Sequence, residues 1–154
     1  TLAIVLSEFS EKNPHFTFSI LATDLSSRVL NTGIPGIYEK HKIEPIPLSL
    51  RKKYLLRSKD HNLDLVRIAP ALRKKVNFMR LNLLEEHYPL HEKMDIIFFR
   101  NVIIYFSRET QEKIITRMCK HLRPGGYIFM GHSETLINMK VPLQQVKPTI
   151  YRRR

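Results

Sequence analysis

The feature that most constrains the fold is a continuous apolar run, Met-Asp-Ile-Ile-Phe-Phe, at residues 94–99. A strand that is apolar at nearly every position is typical of a parallel strand covered on both faces. Arg100 and Asn101 follow this run directly. Because a charged side chain is costly to bury alone, we expect the pair to leave the sheet at its carboxyl edge. There it would either line a ligand cleft or form a structural ion pair.

Helix and strand signals alternate along the rest of the chain. Strands are predicted at residues 16–23, 76–80, 94–99 and 127–130, with a closing hairpin at 143–146 and 149–153. Helices are predicted at residues 2–12, 26–33, 47–54, 70–75 and 107–122, and residues 34–46 are expected to be a connector with at most short helical turns. This alternation indicates an α/β fold with helices on both faces of a mostly parallel sheet.

Two of the helices have clear local signals. In the first, Leu2, Val5, Leu6 and Phe9 have helical spacing and predict the buried stripe. The long helix begins after Ser107, a good N-cap, and carries a predicted apolar stripe formed by Ile114, Ile115, Met118 and Leu122. No cap precedes Thr1, so we expect part of the domain to lie upstream.

A small antiparallel appendage is expected outside the main sheet. Residues 54–57 and 63–68 can pair as a hairpin around a polar tip at 58–62. We expect this subdomain to cover about residues 54–68.

Ligands of open α/β sheets bind at the carboxyl ends of the strands. That rule selects Asp24, Asn82, the pair at 100–101, and the Gly-His at 131–132. A carboxylate such as Asp24 can accept two hydrogen bonds from the vicinal hydroxyls of a ribose. The alternative is that Asp24 caps the following helix together with Ser26.

Two further polar groups have competing interpretations. Tyr105 is either a phenol in a catalytic cleft or a cover for the long helix. The His-Ser-Glu run at residues 132–134 resembles a nucleophile beside a base. Residues adjacent on an extended chain point in opposite directions, which argues against a hydrolytic triad.

The composition restricts the partners. The net charge is +12 and there is a single cysteine, Cys119. A basic domain attracts acidic proteins, polyanions or anionic membranes, and the alternative is a basic domain without such a partner. No zinc-finger or recognition-helix pattern is present. Cys119 is expected in the core and indicates a reducing compartment, hence the cytoplasm.

Five segments together resemble the successive motifs of the CheR chemotaxis-receptor methyltransferases, in that family's order. They are Ala-Thr-Asp-Leu-Ser at 22–26, Asn-Leu-Leu at 82–84, Phe-Arg-Asn-Val-Ile-Ile-Tyr-Phe at 99–106, Leu-Arg-Pro-Gly-Gly-Tyr at 122–127 and Gly-His-Ser-Glu at 131–134. The Arg-Asn-Val-Ile-Ile-Tyr-Phe run followed by Gly-His-Ser-Glu is the most specific part.

The resemblance implies a class I (Rossmann-like) methyltransferase sheet, mostly parallel with an antiparallel last strand. Residues 1–154 would be one partial domain, with the first strand and glycine-rich loop missing, and the lone chain is therefore expected to be inactive. The cofactor would be S-adenosylmethionine, and no metal is implied.

The resemblance also implies residue roles and partners. The cofactor would be bound by Asp24 at its ribose, by Asn82 and Leu83 beside its adenine, and by Arg100 and Asn101 at its methionine end, with Tyr105 and Arg100 in the catalytic role. Its substrates would be glutamate-rich helices of chemotaxis receptors. The short tip at 58–62 favours an enzyme that does not need a receptor's C-terminal peptide. The alternatives are an RNA methyltransferase of the same fold or a non-catalytic receptor-binding remnant.

Overall fold

The computed structural model describes residues 1–60, 62–132 and 134–154. The chain divides into two compact units, Thr1–Leu81 and Asn82–Arg154. The predicted tip at 58–62 and the His-Ser-Glu run at 132–134 each include one residue outside the described ranges, His61 and Ser133.

The described residues of the N-terminal unit form five strands and four helices. In chain order they are α1 Leu2–Lys12, β1 Ile20–Asp24, α2 Ser27–Gly33, β2 Ile37–Glu39, α3 Leu48–Tyr54, β3 Leu55–Arg57, β4 Leu65–Ile68, α4 Pro70–Arg73 and β5 Val76–Arg80, with a 3-10 turn at Lys40–Ile43. β1 and β5 form a parallel pair in register from Ile20 opposite Val76 to Asp24 opposite Arg80. Their carboxyl ends therefore lie side by side.

The predicted strand at 16–23 is too long at its start. β1 begins at Ile20, because Ile20 is the first residue with a ladder partner on β5. Phe16 packs edge-to-face against Phe9 instead, with ring centroids 4.9 Å apart. Contacts with the first helix thus replace strand pairing for these residues.

The predicted stripe of α1 is also wrong. Ile4 is the buried residue of the helix and packs with Tyr54 and Leu72, whereas Val5 and Phe9 are about half exposed at 56% and 50%. One turn after Ile4, the Glu8 carboxylate accepts a hydrogen bond from the Tyr54 hydroxyl at 2.8 Å. The position of Tyr54 selects the face of α1 that is buried.

The appendage has the predicted hairpin and one more strand. β3 and β4 pair antiparallel, and β2 pairs antiparallel with the other edge of β4. β2 lies within the predicted connector at 34–46. Its three residues are all exposed, so no apolar alternation marks it, and its strand conformation depends on pairing with β4.

The C-terminal unit is a mixed four-stranded sheet with one long helix. Its elements are β6 Met94–Phe99, a 3-10 turn at Ile103–Tyr105, α5 Arg108–His121, β7 Leu122–Met130, β8 Leu143–Lys147 and β9 Ile150–Arg153. The strand order is β6-β7-β9-β8. β6 is parallel to β7, and β9 is antiparallel to both β7 and β8, so the antiparallel closing hairpin is confirmed.

β7 begins earlier than predicted. The Pro-Gly-Gly at 124–126 lies within the strand, beside a register shift between Met94 and Ile96 of β6. Gly125 has a φ of +77°, which favours glycine. A Cβ on Gly126 would lie 2.8 Å from the Asp95 carbonyl oxygen. The glycines therefore form an irregular start to the strand and not a turn before it.

The predicted cap and stripe of α5 are confirmed. The Ser107 Oγ accepts a hydrogen bond from the Thr110 N–H at 3.4 Å, and the helix buries Ile114, Ile115 and Met118, together with Cys119. Leu122, the fourth predicted member of the stripe, is buried as the first residue of β7 instead. Burial raises the pKa of the Cys119 thiol to about 11, so it stays protonated in the core. At 14 residues α5 is too short to cross a bilayer, and no helix in the described ranges qualifies as a membrane span.

β6 is less enclosed than its sequence predicts. Ile96 and Phe98 are 47% and 48% exposed, although Phe98 stacks on Phe129 of β7 at 4.9 Å. Among the described residues β6 pairs only with β7, and β1 pairs only with β5. Each of these two strands therefore has one edge that no described strand covers.

Replacing Ile115 with alanine tests whether α5 holds the C-terminal unit together. Ile115 is fully buried, so Ile115→Ala is expected to lower the free energy of unfolding by about 2–5 kcal/mol. Chemical denaturation of the complete protein measures this. The exposed Lys120→Ala on the same helix is the control, and equal stability of the two variants would contradict the packing described.

Candidate functional site

The carboxyl ends of β1 and β5 form the first part of the candidate site. Asp24 lies opposite Arg80, and the Asp24 carbonyl accepts a hydrogen bond from the Leu81 N–H at 3.0 Å. The Arg80 Nε donates to the Leu25 carbonyl at 3.1 Å. These bonds hold the turn after β1 against the end of β5.

The Asp24 side chain already has one structural partner. Its Oδ1 accepts a hydrogen bond from the Ser26 N–H at 2.8 Å, and the Ser26 Oγ accepts one from the Val29 N–H at 3.3 Å. The structure thus contains the predicted capping contacts of Asp24 and Ser26 at the start of α2. Within the described ranges Oδ2 accepts no hydrogen bond, which leaves one carboxylate oxygen for a hydroxyl donor.

The loop that starts at Asn82 is fixed by two side chains farther along the chain. The Asn82 Oδ1 accepts a hydrogen bond from the Leu84 N–H at 3.0 Å. The Leu83 carbonyl accepts one from the Tyr88 hydroxyl at 2.8 Å and a longer one from Arg117 Nη1 at 3.5 Å. Burial raises the pKa of Tyr88, and Arg117 partly opposes that shift. The neutral phenol therefore donates and anchors the backbone at Leu83.

A buried carboxylate organises the carboxyl ends of β6 and β7. Glu134 is 4% exposed. Its Oε2 accepts hydrogen bonds from the N–H groups of Asn101 at 2.9 Å and Gly131 at 2.7 Å. Its Oε1 accepts bonds from the N–H groups of Val102 at 2.8 Å and Ile103 at 3.0 Å. One negative charge thus joins the loop after β6 to the loop after β7.

The backbone around this carboxylate leaves no spare room. Asn101 has a φ of +59°, a left-handed conformation that asparagine tolerates better than most residues. A Cβ on Gly131 would lie 2.4 Å from the Asn101 Oδ1 and 2.6 Å from the Glu134 Oε2. The Glu134 cluster therefore requires glycine at 131, and asparagine at 101 suits the backbone conformation there.

Arg100 and Tyr105 are at the surface. Tyr105 is 80% exposed in the 3-10 turn before α5, so the alternative that it covers the long helix is wrong. Arg100 is exposed. Among the described residues it forms no ion pair, so the structural ion pair predicted as its other possible role is not found there. Both side chains are available to a ligand or partner.

The structure groups the predicted residues within each unit. Asp24 lies at the strand end shared with Arg80, and the pair at 100–101 lies beside Gly131 at the end of β7. The convergence of Asp24 with Asn82, Arg100 and Asn101 stays a prediction.

Sequence reasoning did not find two positioning residues. No sequence pattern singles out Tyr88, and Glu134 belongs only to the triad-like run at 132–134 and to the Gly-His-Ser-Glu motif, neither of which gives it a role. Its carboxylate is instead committed to backbone donors, and Ser133 lies outside the described residues. An acid three residues after Gly131, the glycine that follows β7, was the available signal for Glu134. In the described ranges no cluster of His, Cys, Asp and Glu could hold a metal ion.

Comparison with known proteins places the chain among methyltransferases. Residues 1–152 match the family described as CheR methyltransferase, SAM binding domain. A chemotaxis protein methyltransferase of Borreliella burgdorferi is 38% identical over 154 residues, which is 99% of this chain and 53% of that protein. Chemotaxis protein methyltransferase 2 of Pseudomonas aeruginosa is 36% identical over 132 residues, 86% of this chain and 47% of that protein. The chain therefore spans about half the length of the curated relatives it matches.

Exchanging Glu134 for glutamine tests the role of its charge. In either orientation the glutamine amide group would face two backbone N–H donors, so at least two hydrogen bonds to a charged acceptor are lost. At about 1.5–3 kcal/mol each, we expect Glu134→Gln to lower the free energy of unfolding by more than about 3 kcal/mol.

Thermal or urea unfolding of the complete protein measures this loss. The control is Glu86→Gln, at an exposed position, where we expect a change within about 0.5 kcal/mol. If both variants are equally stable, Glu134 does not hold the two loops together.

Proposed function

Because this chain belongs to the CheR methyltransferase family, we propose that its protein transfers a methyl group from S-adenosylmethionine to glutamate side chains of chemotaxis receptors. The match to the SAM binding domain over residues 1–152 carries the proposal. The chain spans about half of its relatives' length, so the activity is proposed for the complete protein.

The residues at the strand ends fit S-adenosylmethionine in chemical type. Asp24 would accept a ribose hydroxyl through Oδ2, since Oδ1 is occupied by the Ser26 N–H. Asn82 and Leu83 would border the adenine, and Arg100 and Asn101 would lie at the methionine end. When bound, the cofactor supplies an electrophilic methyl group on a positively charged sulfur.

The substrate glutamate needs no general base. A glutamate with a pKa of about 4.3 is already ionised at neutral pH. Charge decreases as a carboxylate approaches a sulfonium, so strong hydrogen bonds to the carboxylate would stabilise the ground state more than the transition state. Arg100 and Tyr105 therefore act by orienting the groups, and neither has to transfer a proton.

Placement is then the main contribution of the protein to the rate. Correct alignment of two reacting groups can contribute about 7–11 kcal/mol. The Glu134 carboxylate holds the backbone at 101–103, directly before Tyr105. We infer that this clamp fixes the exposed phenol relative to the loop that carries Arg100 and Asn101.

The charge of the chain supports an acidic partner. A net charge of +12 favours encounter with glutamate-rich helices and predicts a rate that falls as salt is added. We also propose that receptor recognition does not need a C-terminal receptor peptide, because the hairpin tip is short. The buried free thiol of Cys119 agrees with a reducing compartment, and we propose the cytoplasm.

We further propose that the whole 154-residue chain works as part of one methyltransferase domain, and that the chain alone is inactive. Among the described strands β1 and β6 each have one neighbour, and a central strand in a parallel sheet has two. Unpaired backbone groups at such edges are costly when buried. A further strand paired with each would satisfy these edges.

Methylation of receptor fragments tests the proposed activity. The complete protein, incubated with radiolabelled S-adenosylmethionine, is expected to label fragments with substrate glutamates and not fragments in which these are glutamine. The label should be released by base, as a methyl ester is. Labelling of RNA in place of receptor would support the RNA methyltransferase, and no labelling with no cofactor binding would support a non-catalytic module.

Replacing Asp24 with asparagine separates its proposed cofactor role from its role in the turn. Asparagine can still accept from the Ser26 N–H through Oδ1, so thermal stability should be retained. The charged acceptor for the ribose is lost, and we expect S-adenosylmethionine to bind the complete protein about tenfold more weakly. Asp64→Asn, at an exposed position paired with Lys40, is the control in calorimetric titration. Unchanged affinity in Asp24→Asn would exclude the ribose role.

A further inference from the structure

A cavity of about 630 Å³ opens in the N-terminal unit. None of the predicted site residues lines it. Its walls come from the two ends of the unit's chain and from the appendage between them. They are Thr1 and α1, the end of α2 and the turn after it, β2, the 3-10 turn and Ile46, the end of β4, α4 and the first three residues of β5. Those β5 residues are at the opposite end of the strand from Arg80, the partner of Asp24. The volume lies within the range of about 300–1,000 Å³ that is usual for small-molecule sites.

The cavity combines an apolar wall with a basic one. Ile4, Ile43, Ile68, Leu72 and Phe78 contribute aliphatic and aromatic surface. The charged residues in its lining are Lys42, Arg73 and Lys74, and no aspartate or glutamate is among the described lining residues. Lys42 is partly neutralised by Glu39, 3.4 Å away.

Arg73 is the unusual member of the lining. Its Nε is buried and has no hydrogen-bond partner among the described residues. Its aliphatic stem lies over Gly36, where a Cβ would be 3.2 Å from the Arg73 Cδ. Buried donors in native proteins nearly always have partners, so an exception needs an explanation. A guanidinium presents several donors in one plane, an arrangement suited to a carboxylate.

We propose that this cavity binds a small molecule with one carboxylate group and an apolar body. The carboxylate would accept hydrogen bonds from the Arg73 guanidinium, and Lys74 would add favourable charge. The apolar body would cover the aliphatic wall around Ile4 and Leu72. This site is separate from the proposed methyl-transfer site and does not depend on it.

Titration with octanoate tests the proposal. We expect octanoate to bind the complete protein in isothermal calorimetry. Octan-1-ol and acetate should bind more weakly, because octan-1-ol lacks the carboxylate and acetate lacks the apolar body. Octanoate that does not bind, or that binds no better than both analogues, overturns the proposal.

Arg73→Met is the matching variant, because methionine keeps an unbranched apolar stem over Gly36 and removes the donors. We expect octanoate to bind it about 10- to 100-fold more weakly, the factor given by losing a hydrogen-bonded charge. The unfolding temperature without ligand should not fall, since Nε has no partner to lose. Arg28→Met, on the exposed face of α2, is the control and should bind octanoate like the wild type.

The Asp24→Asn variant keeps this test independent of the proposed function. Octanoate should bind it with wild-type affinity whether or not S-adenosylmethionine does. Equal octanoate affinity in Arg73→Met and wild type, or an unfolding temperature lowered by Arg73→Met alone, would show that Arg73 has a structural role only.

Discussion

The candidate site of the C-terminal unit depends on one buried negative charge. The Glu134 carboxylate accepts four hydrogen bonds, from the backbone N–H groups of Asn101, Val102, Ile103 and Gly131. A carboxylate can be buried only where donors replace its hydration. Parallel pairing of β6 and β7 brings the two strand-end loops side by side, and the carboxylate joins them. The same hydrogen bonds fix the backbone at residues 101–103, shortly before Tyr105.

The sequence predicted the elements whose signals lie within them. The Ser107 cap and apolar stripe located α5, and the apolar run gave the bounds of β6. It could not predict β2, because the exposed residues Ile37–Glu39 become a strand only by pairing with β4. The buried face of α1 likewise depends on where Tyr54 lies, which no local pattern in the helix encodes.

Site residues were likewise predictable where a local signal marks them, and not where their role depends on distant parts of the chain. The strand-end rule selected Asp24 and Asn101, and the family resemblance gave them roles. The rule did not assign Glu134, whose partners at 101–103 are 31 to 33 residues away in sequence. An acid in a sequence can face water, substrate or backbone donors with equal plausibility. Only the fold distinguishes these, and the same holds for the anchoring of Leu83 by Tyr88.

A reaction between a carboxylate and a sulfonium places unusual demands on a protein. The nucleophile is ionised in advance, so no side chain has to store or move a proton. What remains is geometry, and geometry depends on how firmly the loops are held. A buried carboxylate with four backbone donors holds a loop firmly, because a hydrogen bond to a charged acceptor is stronger than a hydrogen bond to a neutral acceptor. For methyl transfer of this kind, the residues that fix the backbone therefore matter as much as those that contact the substrate.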